Sequence, residues 1–345
     1  MATERNPRSQ RALRLASATA LCLAASFGLA LPIPFLAPML TLFMGASMNR
    51  PLSLKAALGL ALMVALTTGS GLLLIPVLIH APLSGVLLVG LLLFLCFRYG
   101  QSGGNPLLAT FLVIGLTLIS AAGASEFELS LMVIEALLKG VLLAALSLAL
   151  GHWLFPEPAA APAAPTRAGL APTAASWIAL RAALVVLPAY LLALIDPASY
   201  MPVIMKAVSL GQQACDTRAR DAGRELLGST LLGGLLAILF WGALGILPNL
   251  WMFFLWMLLF GLLLARKLYA LSPTRLSPGF WLNSTATLII LLGQSVQDSA
   301  AGKDVYTAFA VRMGLFIAVT LYACLAVYLI DVRRQRPITP DETAP

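Results

Sequence analysis

Ser53 to Ile79 reads SLKAALGLALMVALTTGSGLLLIPVLI, a run in which Lys55 is the one charged residue. A hydrocarbon core about 30 Å thick is crossed by about 20 helical residues, so this stretch spans a bilayer with length to spare. A water-soluble helix keeps one polar face, and here none exists. Runs of similar character recur at about 12–31, 34–48, 83–97, 105–123 and 129–154, and again at 177–195, 200–213, 225–247, 250–265, 279–296 and 306–330. The chain is therefore expected to be all-α and polytopic, with about 12 transmembrane helices.

Composition agrees. Of 345 residues, 60% are hydrophobic and 10% charged, and the mean hydropathy is +0.93, whereas a soluble domain carries about a quarter charged residues. The net charge of +8 does not indicate nucleic acid, because the basic residues form short groups between apolar runs instead of one surface. Arg8, Arg11 and Arg14 ahead of the first run resemble a signal peptide. The run is long for one, and a similarly headed segment opens the second half, so it is read as a retained span.

The basic groups set the topology. In a twelve-span arrangement, Arg5 through Arg14, Arg50, Lys55, Arg98, Arg167, Arg218 to Arg224, Arg266, Lys267, Arg275 and Arg333 to Arg336 share one side, and the other side holds Lys303. The positive-inside rule then places both termini in the cytoplasm. Glu126, Glu128, Asp196, Asp298 and Asp304 are expected on the outer side.

The two halves share landmarks in one order. Ala12-Leu13-Arg14 recurs as Ala179-Leu180-Arg181, Pro38 as Pro202, Lys55 to Gly59 as Arg224 to Gly228, Pro106 as Pro278, and Leu138-Lys139-Gly140 as Val311-Arg312-Met313-Gly314. This predicts a first six-helix half over 1–155, a Pro/Ala-rich cytoplasmic linker over 156–176, a second six-helix half over 177–330 and a cytoplasmic tail over 331–345. An even number of spans per half makes the repeats parallel.

Chemistry must come from polar groups inside the apolar runs. No P-loop occurs, no catalytic set of Ser, His and acid can be assembled, and Cys22, Cys96, Cys215, Cys324, His80 and His152 show no metal-ligand spacing. No enzyme, metal or cofactor is expected, and His152 beside Trp153 reads as interfacial. An ionisable side chain at mid-membrane costs about 2.5–3.5 kcal/mol on insertion scales. Glu135 and Lys139, spaced i to i+4, are expected as a poorly solvated pair serving packing or coupling, and Arg312 at the matching place needs a partner from another helix, a lipid or a ligand. Lys206, Ser209 and Gln213 form one stripe of a short span headed by Pro202, with Pro38 heading its short counterpart. Short proline-marked spans at matching places of two halves point to a binding site, and snorkelling of Lys206 to the interface is the alternative. Asn283, Thr287 and Gln294 lie on one face of the eleventh span, and Thr110, Thr117 and Ser120 on one face of the fifth. Interhelical hydrogen bonding explains such stripes at about 1 kcal/mol a bond. Arg14 and Arg181, with Trp177, Trp251 and Tyr200, read as interfacial anchors.

On the basic entries Arg14 and Arg181, the helix starts Lys55 to Gly59 and Arg224 to Gly228, and Lys139-Gly140 with Arg312-Met313-Gly314, the chain resembles the fusaric-acid-resistance and aromatic-acid-exporter family. Larger members carry a sizeable cytoplasmic domain that the short linker and tail do not supply, so this chain resembles a compact relative. The resemblance implies an inner-membrane efflux transporter for small amphipathic or aromatic, often anionic, compounds, driven by an ion gradient and working with a periplasmic membrane-fusion adaptor, and it suggests a homodimer. A non-transporting scaffold for an adaptor or enzyme is the second reading and a passive facilitator the third. The substrate site is then placed at Lys206, Ser209, Gln213, Pro202, Pro38, Asn283 and Thr287, and a charge network at Glu135, Lys139 and Arg312.

Overall fold

A computed structural model describes residues 6–48, 53–156, 170–216, 221 and 223–335. Among them there is no strand. The helical rods are α1 (Pro7–Gly28), α2 (Leu36–Ser47), α3 (Lys55–His80), α4 (Pro82–Gln101), α5 (Pro106–Ser125) and α6 (Phe127–Leu154), followed by α7 (Pro172–Ile195), α8 (Pro197–Asp216), α9 (Gly223–Ile246), α10 (Leu250–Leu268), α11 (Pro278–Ala300) and α12 (Val305–Gln335). Eight of these, α3 to α7, α9, α10 and α12, are long and apolar enough to cross a membrane, which makes the chain a multi-pass helical membrane protein. Most of the linker, residues 157–169, lies outside the described residues.

Helix starts follow from local chemistry. Pro7, Pro82, Pro106, Pro172 and Pro278 stand at first positions, where a missing N–H costs nothing. Asn6, Ser53, Asn105, Asn249 and Ser277 accept hydrogen bonds from free amides of the first turn. Asp304 does the same for α12, accepting from the Tyr306 amide and the Thr307 hydroxyl, which holds its carboxyl below the usual range.

The rods sort by burial. Residues 33–42, 115–123, 206–211 and 283–293 are unbroken buried runs, so α2, α5, α8 and α11 are enclosed on every side. Around them the outer rods turn leucines outward. On α4 Leu83, Leu87, Leu91 and Leu95 form an exposed i to i+4 ridge, as Leu321, Leu325 and Leu329 do on α12. In water such a surface would aggregate; against acyl chains it is solvated. The inner rods are screened from lipid, so they can carry polar residues: α8 and α11 fall outside the eight apolar spans.

Rods from the first part of the chain pack on rods from the second. α1 packs along α10 and α7 packs along α4, while α2 lies against α11 and α8 against α5. Two crossings depend on glycine. At one, Gly71 and Gly115 bring α3 and α5 together where α3 tightens to a 3₁₀ turn (Ser70–Leu74) and α5 widens to a π turn (Gly115–Ile119). At the other, Gly233 of α9 abuts α11, and a Cβ there would sit 2.6 Å from Thr287 Cβ and 2.7 Å from the Ser284 carbonyl oxygen.

Several expectations are corrected. α8 is not short: it spans Pro197–Asp216 with Pro202 inside it, because Pro197 supplies an earlier start and the helix tolerates Pro202 in its second turn, where little of the i−4 ladder precedes it. Arg14 and Arg181 are 2% and 5% exposed, hence bundle residues and not interfacial anchors. His152 is also buried, its Nδ1 2.8 Å from the Leu148 carbonyl oxygen. Asp298 is buried too, because α11 runs past it to Ala300.

Gly233→Ala is expected to cost about 1–3 kcal/mol by overpacking. Thermal unfolding in detergent should show a lowered midpoint, whereas Gly242→Ala, where a new Cβ meets nothing within 4 Å and the helix gains a better helix former, should not lower it.

Candidate functional site

α8 and α11 meet at Lys206, whose side chain is enclosed at 1% exposure. Its Nζ donates to Asn283 Oδ1 at 3.1 Å and to Thr287 Oγ1 at 2.7 Å. Asn283 is the hub. Its Oδ1 also accepts from the Ser209 hydroxyl at 3.2 Å, and its Nδ2 donates to Ser229 Oγ at 2.6 Å. The hydroxyls of Ser229 and Thr287 donate onward to the Glu225 and Asn283 carbonyl oxygens. Three rods, α8, α9 and α11, are thus joined by one polar cluster.

The cluster arises from helical spacing. Lys206 and Ser209 are three apart on α8, and Asn283 and Thr287 four apart on α11, so each pair shares a face. The Gly233 crossing brings α9 near enough for Ser229 to reach Asn283. Both bonds from Nζ end on neutral oxygens. An ammonium has three donors, and among the described residues no carboxylate lies within ion-pairing distance of Lys206.

Other candidates fall elsewhere. Pro202 lies one turn before Lys206 and Pro38 in buried α2; neither takes part in the cluster. The Gln213 side chain lies outside the described residues, and its neighbour Gln212 donates from Nε2 to Thr110 Oγ1 at 2.9 Å, tying α8 to α5. Ser120 meets Tyr190 Oη at 3.0 Å, joining α5 to α7. Glu135 and Lys139 do pair, but on the outer face of α6, with side chains 54% and 52% exposed. They are not an enclosed pair, since α6 turns that face away from the inner rods. Arg312 finds its partner on the preceding helix: its guanidinium grips both oxygens of Asp298, one at 2.9 Å. The charged residues therefore form two separate pairs and not one network. Among the described residues no group of His, Cys, Asp and Glu could hold a metal.

Sequence reasoning overlooked Ser229, Gln212 and Asp298. For Asp298 a signal existed: a buried arginine requires an acid nearby, and extending the eleventh span by one turn supplies it. Ser229 carries no comparable signal, because a serine after glycine in an apolar helix is ordinary.

The protein family described as "Protein of unknown function (DUF2955)" matches residues 11–150, the stretch from α1 through most of α6. No curated protein and no solved structure matches the chain. The matched family is described without a function, so the likeness to aromatic-acid exporters stands on the short motifs alone.

Asn283→Ala should leave the Ser209 hydroxyl unpaired and take one of two partners from Lys206, at about 1–3 kcal/mol for a buried group left unsatisfied. A clearly lowered unfolding midpoint in detergent is expected. Glu135→Gln, at an exposed pair worth about 1 kcal/mol or less, should barely move it.

Proposed function

We propose that this chain is a transporter of the bacterial cytoplasmic membrane, twelve spans in two parallel six-helix repeats with both termini in the cytoplasm, that exports small amphipathic or aromatic anions. Lys206 carries the reading. A lysine held inside a bundle with no carboxylate beside it among the described residues is expensive in a membrane, and a transported carboxylate is the partner that would offset the cost through a charge-assisted hydrogen bond. Asn283 and Thr287 hold two of its donors, and Ser209 in turn bonds Asn283.

The repeat strengthens the argument. Reciprocal packing of α1 on α10 and α7 on α4 is what a pseudo-twofold along the membrane normal would produce. Aligning Pro38 with Pro202, Gly59 with Gly228 and Pro106 with Pro278 puts Leu42, Leu60, Phe111 and Gly115 at the places of Lys206, Ser229, Asn283 and Thr287. All four are buried. The first half thus packs the same crossings without a polar cluster, so the architecture itself does not call for one. The motif likeness adds efflux, coupling to an ion gradient and a periplasmic adaptor as parts of the proposal.

Two measurements test it. Reporter fusions after Pro165 and at the C-terminus should both register cytoplasm, and a periplasmic signal from either would remove the twelve-span topology. In vesicles, Lys206→Met should insert normally yet lower benzoate flux by about tenfold, the loss of one favourable contact of about 1.4 kcal/mol. Benzamide flux should stay close to wild type. An equal change for acid and amide would assign Lys206 to packing, and benzoate flux that survives collapse of ion gradients would make the protein a facilitator.

A further inference from the structure

α11 connects two charged places. At 100° per residue, Asn283, Thr287, Gln294 and Asp298 fall within about 60° of one another, and Thr287 and Asp298 are separated by about 16 Å along the axis. The Lys206 cluster lies at the lower end of this stripe and the Asp298–Arg312 pair at the upper end. Between them Ile290 and Leu291, 0% and 1% exposed, close the face.

The upper pair is enclosed, with side chains 16% exposed for Arg312 and 6% for Asp298. Such a pair is weak evidence for a stabilising role, since apolar packing often does as well. Counting from Pro106 and Pro278, Asp298 corresponds to Glu126, and the Lys-Gly and Arg-Met-Gly motifs match Arg312 with Lys139. Glu126 is exposed, and Lys139 pairs with Glu135 instead. The first half folds without an interhelical pair at this place, as it does without the Lys206 cluster.

We propose that Arg312 is a second anion-binding station on the transport path, occupied in this structure by the chain's own carboxylate, Asp298, which a substrate carboxylate displaces. This rests on the reading of the chain as a transporter of carboxylates. The guanidinium fork holds both oxygens of one planar carboxylate, so the exchange replaces one carboxylate by another of the same shape and charge. No charge is left unpaired inside. Residues 299–304 are exposed, so the released Asp298 side chain reaches water within one helical turn. Until then the pair ties α11 to α12 and keeps the upper end shut.

Benzoate and benzamide binding to the full chain in detergent, followed by thermal shift, separates this from a structural strap. Asp298→Asn removes the resident competitor and should tighten benzoate binding by about tenfold while leaving benzamide unchanged. Arg312→Gln should weaken benzoate binding. The gain from Asp298→Asn should persist in a Lys206→Met background, which distinguishes failure of this proposal from failure at Lys206. Unchanged or weaker benzoate binding in Asp298→Asn overturns it. Should that variant not fold, crystals of the wild-type protein soaked in 4-bromobenzoate decide: a bromine peak beside Arg312 supports the station, and none there overturns it.

Discussion

Hydrocarbon offers no hydrogen-bond partner, and every polar group the chain carries into the bilayer must find one within the protein. Backbone groups meet this demand by forming helices. Side chains meet it by position: the lysine, amide and hydroxyls of the cluster lie on α8, α9 and α11 and point into the bundle, while leucine ridges cover the outer rods. Enclosure permits polar residues without requiring them: α5 is apolar and largely buried, whereas α11, among the less apolar rods, is enclosed over eleven consecutive residues, 283–293.

Close approach is what turns this segregation into a site. Gly233 lets α9 rest on the α11 backbone near Thr287, and the small contact area of glycine leaves room for Ser229 to reach the Asn283 amide. The Gly71–Gly115 crossing is just as close, yet its neighbours are Ile119 and the threonines Thr67 and Thr68, whose hydroxyls bond within their own helix. Two crossings of the same kind thus have different chemistry. One joins apolar surfaces through backbone contact, and the other assembles a donor and acceptor network around a lysine.

Much is legible in the sequence. Apolar runs of bilayer length identified the helices, because the hydrocarbon thickness dictates their length regardless of neighbours. Lys206, Ser209, Asn283 and Thr287 stood out as candidates because polar atoms in such runs carry a cost. Ends were less legible: Pro197 and Ala300 extend α8 and α11 beyond their apolar cores, since a helix terminates by capping and backbone geometry and not where hydropathy falls. That is why Pro202 changed from a helix head to an interior residue and Asp298 from an outer acid to the partner of Arg312.

From the sequence alone came the class of molecule, the helix count to be tested and a short set of expensive residues, all of which follow from local composition and spacing. Which of those residues meet was decided by the tertiary structure. Lys206 and Asn283 are 77 positions apart, and their contact depends on how α8 and α11 cross, which no local pattern encodes. The opposite outcome at Glu135 and Lys139 has the same cause: i to i+4 spacing guaranteed the pair, but the rotation of α6 about its axis, set by packing against α1, α2 and α3, turned it outward.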